Sequence, residues 1–209
     1  MINTQLTPSE LDALSEMGNI GTGNAATALS KFINKNVDMN IPQTKFVPLK
    51  DFSKLVGGPE KIIVGAYLQI SGDIDGESLF IFPREGALEM IDILMGRPPG
   101  TTKIVNDMDE SAFKEMTNVI TGSFLNSVAN MFDVKLVPSV PHIATDMAQT
   151  VLDFILIKVS RSADSMLCVK TMINVEGHHI DGEFLVLFDE KSLKKILRTL
   201  HQKYGEAIR

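Results

Sequence analysis

SEMGNIGTGNAATAL, residues 15–29, is the stretch on which the reading of the fold turns. Its three glycines and two asparagines each cost roughly 0.5–1 kcal/mol relative to alanine inside a helix. The apolar spacing around them is nevertheless helical. With Asp12 set at 0° and about 100° added per residue, Leu14, Ala25, Leu29 and Phe32 fall between about 200° and 260°. Glu16, Asn19, Gly23 and Ser30 lie within about 40° of Asp12. The spacing predicts a helix over about 8–35 with an apolar core face and an outward polar face.

The chain repeats this design. Shifted by 99 positions, Asp12 falls on Ser111, Glu16 on Glu115, Asn19 on Asn118, Gly23 on Gly122 and Pro42 on Pro141. A shift of 106 lays DGESLFIF (75–82) on DGEFLVLF (181–188), so the second copy carries a short extra loop. In the second helix Phe113, Ile120, Phe124, Val128 and Met131 fill the core side, opposite Ser111, Glu115, Asn118, Gly122 and Ala129. A duplicated helix needs only its apolar stripe to go on folding, and its exposed residues are free to diverge. Here Glu and Asn recur at one spacing, and in both copies 22 residues separate Asn from a proline. Gly23 and Gly122, one turn beyond the asparagines, leave room for a partner's backbone to come close.

Each copy reads as a long helix (about 8–35 and 108–132), a short strand leading into a proline, two longer strands and a second helix (about 84–95 and 189–203). The longer strands are KIIVGAYLQI with ESLFIF, and MLCVKTMINV with EFLVLF, joined by SGDIDG and EGHHIDG. VLDFILIKVS (151–160) reads as a further strand of the second copy. A copy of about 100 residues alone would leave a one-sided sheet, so the halves (approximately 1–100 and 101–209) are expected to share one core about a pseudo-twofold axis. The expected architecture is a single α/β domain over 1–209, internally duplicated, with a β-sheet packed against two long motif-bearing helices. GRPPGTTKIVNDMD (96–109) is the linker candidate.

Composition excludes several functions. At 209 residues and 44% hydrophobic content the chain can fill a sizeable core. A net charge of −6 argues against a nucleic-acid backbone or an anionic membrane as partner. The first residues do not read as a secretory signal, and no 18 consecutive apolar residues occur. The single cysteine, Cys168, sits in a strand-like run and reads as a buried, inert thiol, which suits a reducing cytoplasm. GNIGTG reverses the glycine order of a dinucleotide loop and follows no strand. His142, His178, His179 and His201 form no ligand-spaced pair with carboxylates, and no nucleophile elbow is present.

The pattern Asp or Ser, three residues, Glu, two residues, Asn, 22 residues, Pro occurs as Asp12/Glu16/Asn19/Pro42 and as Ser111/Glu115/Asn118/Pro141. It resembles the signature of the CheC-type chemotaxis phosphatases, the CheC/CheX/FliY family. The likeness covers essentially the whole chain. EMGNIGTGNAATALS (16–30) is similar to the family's first-site helix, and the length and the two sites resemble the CheC branch. The second motif departs at Thr117, where Gly18 stands in the first.

The resemblance implies a hydrolase of bacterial chemotaxis, a protein aspartyl-phosphate phosphatase acting on CheY-P, the phospho-aspartyl response regulator. It implies that Asn19 and Asn118 hold the attacking water in line and that Glu16 and Glu115 pair with a regulator lysine. Asp12 and Ser111 stand at the periphery of the motif. No cofactor of its own is implied, the Mg2+ being supplied by the regulator. The resemblance further implies a contact with the receptor deamidase CheD through HIATDMAQTVLDF (142–154), with Asp146 as an acidic contact point. The alternative function is a non-catalytic binding module that sequesters CheY-P or CheD. A cytoplasmic monomer is expected.

Overall fold

The computed structural model describes residues 7–159, 165–188 and 190–204. Helix α1, Pro8–Ile33, is started by Thr7, whose hydroxyl accepts from the Glu10 amide while the Glu10 carboxylate accepts from the Thr7 amide. Helix α4, Asp107–Phe132, is started by the equivalent pairing of Asn106 with Asp109. These reciprocal bonds satisfy amides that a helix start otherwise leaves open. Both helices end on a left-handed residue, Asn34 at φ 52° and Asp133 at φ 53°. Thus each 26-residue helix is cut at both ends by its own local chemistry.

The strands are β1 (Val37–Pro48), β2 (Ile62–Gly72), β3 (Gly76–Pro83), β4 (Leu136–Pro138), β5 (His142–Met147), β6 (Ser165–Val175) and β7 (His178–Phe188). They form one antiparallel sheet in the order β1-β6-β7-β3-β2, with β4 and β5 both paired to the far side of β2. Exchanging β1, β2 and β3 with the β4/β5 pair, β6 and β7 leaves that order unchanged. Helices α1 and α4 pack against each other on one face of the sheet, with α3 (Arg84–Leu94) and α6 (Glu190–Tyr204) beside them. Leu14, Leu29, Phe80, Phe82, Phe113 and Phe124 lie in the core between them. The other face is covered by α2 (Phe52–Leu55) and α5 (Ala148–Val159) over Phe52, Ile63, Leu79, Ile155 and Leu185. The result is a single mixed α/β domain in which both motif helices share one layer.

Four expectations need correction. The segment expected as a strand at 151–160 is helix α5 as far as Val159; residue 160 lies outside the described residues. Ala148, Val151, Leu152 and Ile155 are buried, the helical spacing of one apolar face; the density of β-branched and aromatic residues obscured it. The short strand expected to lead into Pro42 instead runs through it as the long edge strand β1, whose pairing with β6 shifts between Asn40 and Gln43. Proline cannot donate to a ladder and is tolerated at an edge or a bulge; in the second copy the chain breaks around Pro141 into β4 and β5. Phe32, assigned to the core stripe, is exposed at the end of α1. The β6–β7 turn is also tighter than EGHHIDG suggested: Glu176 and Gly177 form it, and His178 pairs with Glu89 at 2.8 Å.

Cys168 is buried as expected, with its sulfur 3.1 Å from Glu183 Oε2. Burial and then the neighbouring carboxylate push the thiol far up. It is therefore no nucleophile.

Candidate functional site

The buried side of α1 comprises Leu14, Met17, Thr22, Ala25, Ala26 and Leu29. Asp12, Glu16, Asn19 and Gly23 are exposed on the other side. On α4 the buried side runs through Phe113, Met116, Ile120, Phe124, Leu125 and Val128, and Ser111, Glu115 and Asn118 are exposed. Three-residue spacing places each glutamate and asparagine on the same strip of helix surface.

The two asparagines differ from the polar residues near them. Asn24 donates to the Ile20 carbonyl (3.1 Å), Thr27 to that of Gly23 (3.0 Å), and Ser111 to that of Asp107 (2.7 Å). Each of these side chains folds back onto its own helix. Among the described residues, the side chains of Glu16, Asn19, Glu115 and Asn118 engage no other protein group. Two pairs of carboxylate and carboxamide are thus held into solvent with their hydrogen-bonding capacity open. Asp12 stands exposed one turn before Glu16.

The glycines divide by task. A Cβ built on Gly21 would lie 2.5 Å from Cδ2 of Phe124, so its absence lets α4 close onto α1. A Cβ on Gly23 or Gly122 would meet nothing within 4 Å. Both sit in open space beside the asparagines.

Asp146 lies on edge strand β5, paired in register with Ile63, rather than on either motif helix. It is exposed, and its Oδ1 accepts from the Met147 amide at 2.7 Å. Exposed Met147, Phe154 and Ile157 continue from it onto α5.

One group of residues near the second motif went unnoticed in the sequence. Asp92 of α3 and Asp109 of α4 are both fully buried, and Arg97 meets Asp109 at 2.8 Å. Burial pushes the Asp92 carboxyl up, but bonds from Thr102 and Thr101 outweigh it and leave it below the usual carboxylate range. The Arg97 guanidinium likewise holds Asp109 low. A charge inside the apolar run ALEMIDILM and the N-x-x-D cap at 106–109 were the available signals.

Among the described residues, no cluster of three or more His, Cys, Asp or Glu side chains is arranged to hold a metal. Among the same residues, no helix is long and apolar enough to cross a membrane. Each helix thus offers one carboxylate and one carboxamide on the same exposed strip.

The CheC-like family model matches residues 10–45, and the model of the chemotaxis phosphatase CheX matches residues 64–153. The CheY-P phosphatase CheC of Bacillus subtilis (strain 168) is 29% identical over 195 residues, spanning 91% of this chain and 93% of that protein. The flagellar motor switch phosphatase FliY of the same organism is 27% identical over 198 residues, which are 93% of this chain but 50% of FliY. The chain therefore spans half the length of that relative. In three dimensions the crystal structure of Thermotoga maritima FliY superposes with a TM-score of 0.78 at 20% identity, covering 96% of this chain and 100% of that one. Glu16 and Asn19 lie inside the segment that matches the CheC-like family model and Glu115 and Asn118 inside the one that matches the CheX model, so along both motif helices the chain is similar to the chemotaxis phosphatases CheC and CheX.

Proposed function

We propose that this protein is a phosphatase of phosphorylated CheY, and that each motif helix is a working site. The observation that carries the reading is the pair of exposed, uncommitted carboxamides, Asn19 and Asn118, each with a glutamate one turn before it. The relatives named as CheY-P phosphatase and flagellar motor switch phosphatase support the substrate.

The chemistry follows from what an acyl phosphate lacks. Its leaving group is a carboxylate of pKa about 4 and needs no general acid. Water attacks phosphorus as the bond from phosphorus to the aspartyl oxygen breaks, giving inorganic phosphate, the free carboxylate and a released proton. Aim is the deficiency, and a fixed water supplies it. A carboxamide donates and accepts without titrating, as does the glutamine that orients water in GTPases. Glu16 and Glu115, exposed acceptors one turn back, pair with an ammonium group of the regulator and fix the docking angle. Asp12 and Ser111 stay peripheral. The phosphoryl group and its Mg2+ arrive with the regulator, so the chain needs no cofactor of its own. The internal duplication, which the palindromic strand order supports, then gives one cytoplasmic, monomeric chain two sites.

The test is turnover. Sub-stoichiometric chain added to phosphorylated regulator is expected to clear many equivalents, at a rate proportional to the chain added. A single burst equal to the amount of chain would mean capture without hydrolysis.

A second reading rests on the exposed Met147, Phe154 and Ile157 beside Asp146: this face binds the deamidase CheD. The two functions coexist because the surface lies off both motif strips. Adding CheD to the same assay reports whether it alters the rate, and Asp146→Lys is expected to remove its binding.

A further inference from the structure

The segment joining the copies is fastened more firmly than a linker requires. It leaves α3 and reaches the start of α4 over residues 96–106. Asp92 accepts from the amides of Thr101 and Thr102 (both 2.9 Å) and from the Thr102 hydroxyl (2.6 Å). Arg97 donates to that hydroxyl (2.9 Å) and pairs through its other terminal nitrogen with Asp109 (2.8 Å). Arg84 holds the Lys103 carbonyl (3.2 Å), and Asp109 accepts from the Asn106 amide (3.2 Å). Within this cage Ile104 is 87% exposed and Val105 41%, and Met108, on the first turn of α4, is 67% exposed.

Three apolar side chains thus face water on a segment tied down on either side by two buried carboxylates and two arginines. A flexible connection would let them fold away, whereas this one prevents it. Measured around the helix from Ser111, Met108 lies at about 60°, beside Glu115 at about 40° and Gly122 at about 20°. The apolar group continues the motif strip. From Met108 to Asn118 is about 15 Å along the axis, whereas a standard interface of about 800 Å² per partner is roughly 30 Å across. A protein seated over Glu115 and Asn118 reaches this shoulder. Among the described residues the first copy shows no counterpart: Ser9 occupies the position of Met108, and α1 begins on the exposed Thr7–Glu10 box.

Building on the function read above, we propose that Ile104, Val105 and Met108 form an apolar docking shoulder for the phosphorylated regulator, used at the second motif and without a counterpart at the first among the described residues. Burying these side chains on binding strengthens association. The two motifs therefore differ in affinity for the same substrate.

The experiment isolates each motif in the full chain: Asn19→Ala leaves the second working and Asn118→Ala the first. Ile104→Ser together with Met108→Ser is added to each, at exposed positions that the core does not feel. In the Asn19→Ala chain the KM for phosphorylated regulator is expected to rise about tenfold with kcat kept. The Kd for regulator carrying beryllofluoride as a phosphoryl mimic should rise in parallel. In the Asn118→Ala chain neither changes. Unchanged constants in the Asn19→Ala chain, equal changes in both chains, no turnover by the second motif, or a change explained by loss of self-association in sedimentation would each overturn the proposal. The underlying reading fails separately, if the wild-type chain does not hasten decay of the acyl phosphate at all.

Discussion

At the scale of the residue, Gly21 and Gly23 stand two positions apart and do opposite things. Gly21→Ala drives a methyl group into the Phe124 ring, which itself packs edge-on to Phe184 with centroids 4.8 Å apart. Overpacking of about 1–3 kcal/mol exceeds the helix-propensity gain of up to about 1 kcal/mol, so the variant is expected to unfold at lower denaturant. Gly23→Ala meets open space and is expected to gain up to about 1 kcal/mol in the same measurement. In an Asn118→Ala background it should nevertheless slow turnover, because the added methyl stands beside Asn19 where the partner approaches. Equal stability changes in the two variants would contradict this division. The apolar spacing of α1 made the outward Glu16 and Asn19 legible in the sequence. The separate duty of Gly21 was not, because its partner comes from the other copy. Phe32 was misplaced for a related reason: angle alone does not reveal where a helix outruns its core.

At the scale of the element, α4 is anchored by buried charge and α1 by an exposed capping box. The folded carboxyls of Asp92 and Asp109 lie below their ordinary value of 3.8, so in the unfolded chain these groups take up protons first. Their stabilisation is complete above that value and is lost as pH falls through the lower folded values. The wild-type denaturation midpoint is therefore expected to drop below pH about 4. Asp92→Asn should be less stable at neutral pH and should show a shallower acid decline; an identical acid slope would remove this group from the account. Element identity was legible where one period dominated, as in α1, α4 and the β2–β3 and β6–β7 hairpins. It failed at α5, where β-branched residues suggested a strand although Val151, Leu152 and Ile155 follow a helical face. Pro42 and Pro141 show the same limit: one is absorbed by an edge bulge and the other splits a strand, a choice made by the neighbouring strand.

At the scale of the molecule, strands from both halves of the chain form one sheet, and its order reads the same from either half. Sheet and core hold α1 and α4 in one layer, so the faces left over point outward and are available to a partner. That two-sidedness was foreseeable from two copies of an amphipathic design. The caged segment at 96–106 was not, because its acids lie in different elements and only the fold brings them to one loop. The central claim is that two outward carboxamides do the work. The direct measurement is the decay of the acyl phosphate on the regulator with equal amounts of wild-type chain and of a chain carrying both Asn19→Ala and Asn118→Ala, their folding matched by thermal melts. Each asparagine is expected to be worth on the order of 10²-fold, so the doubly substituted chain should leave the regulator at its own intrinsic rate; decay at the wild-type rate would contradict the account.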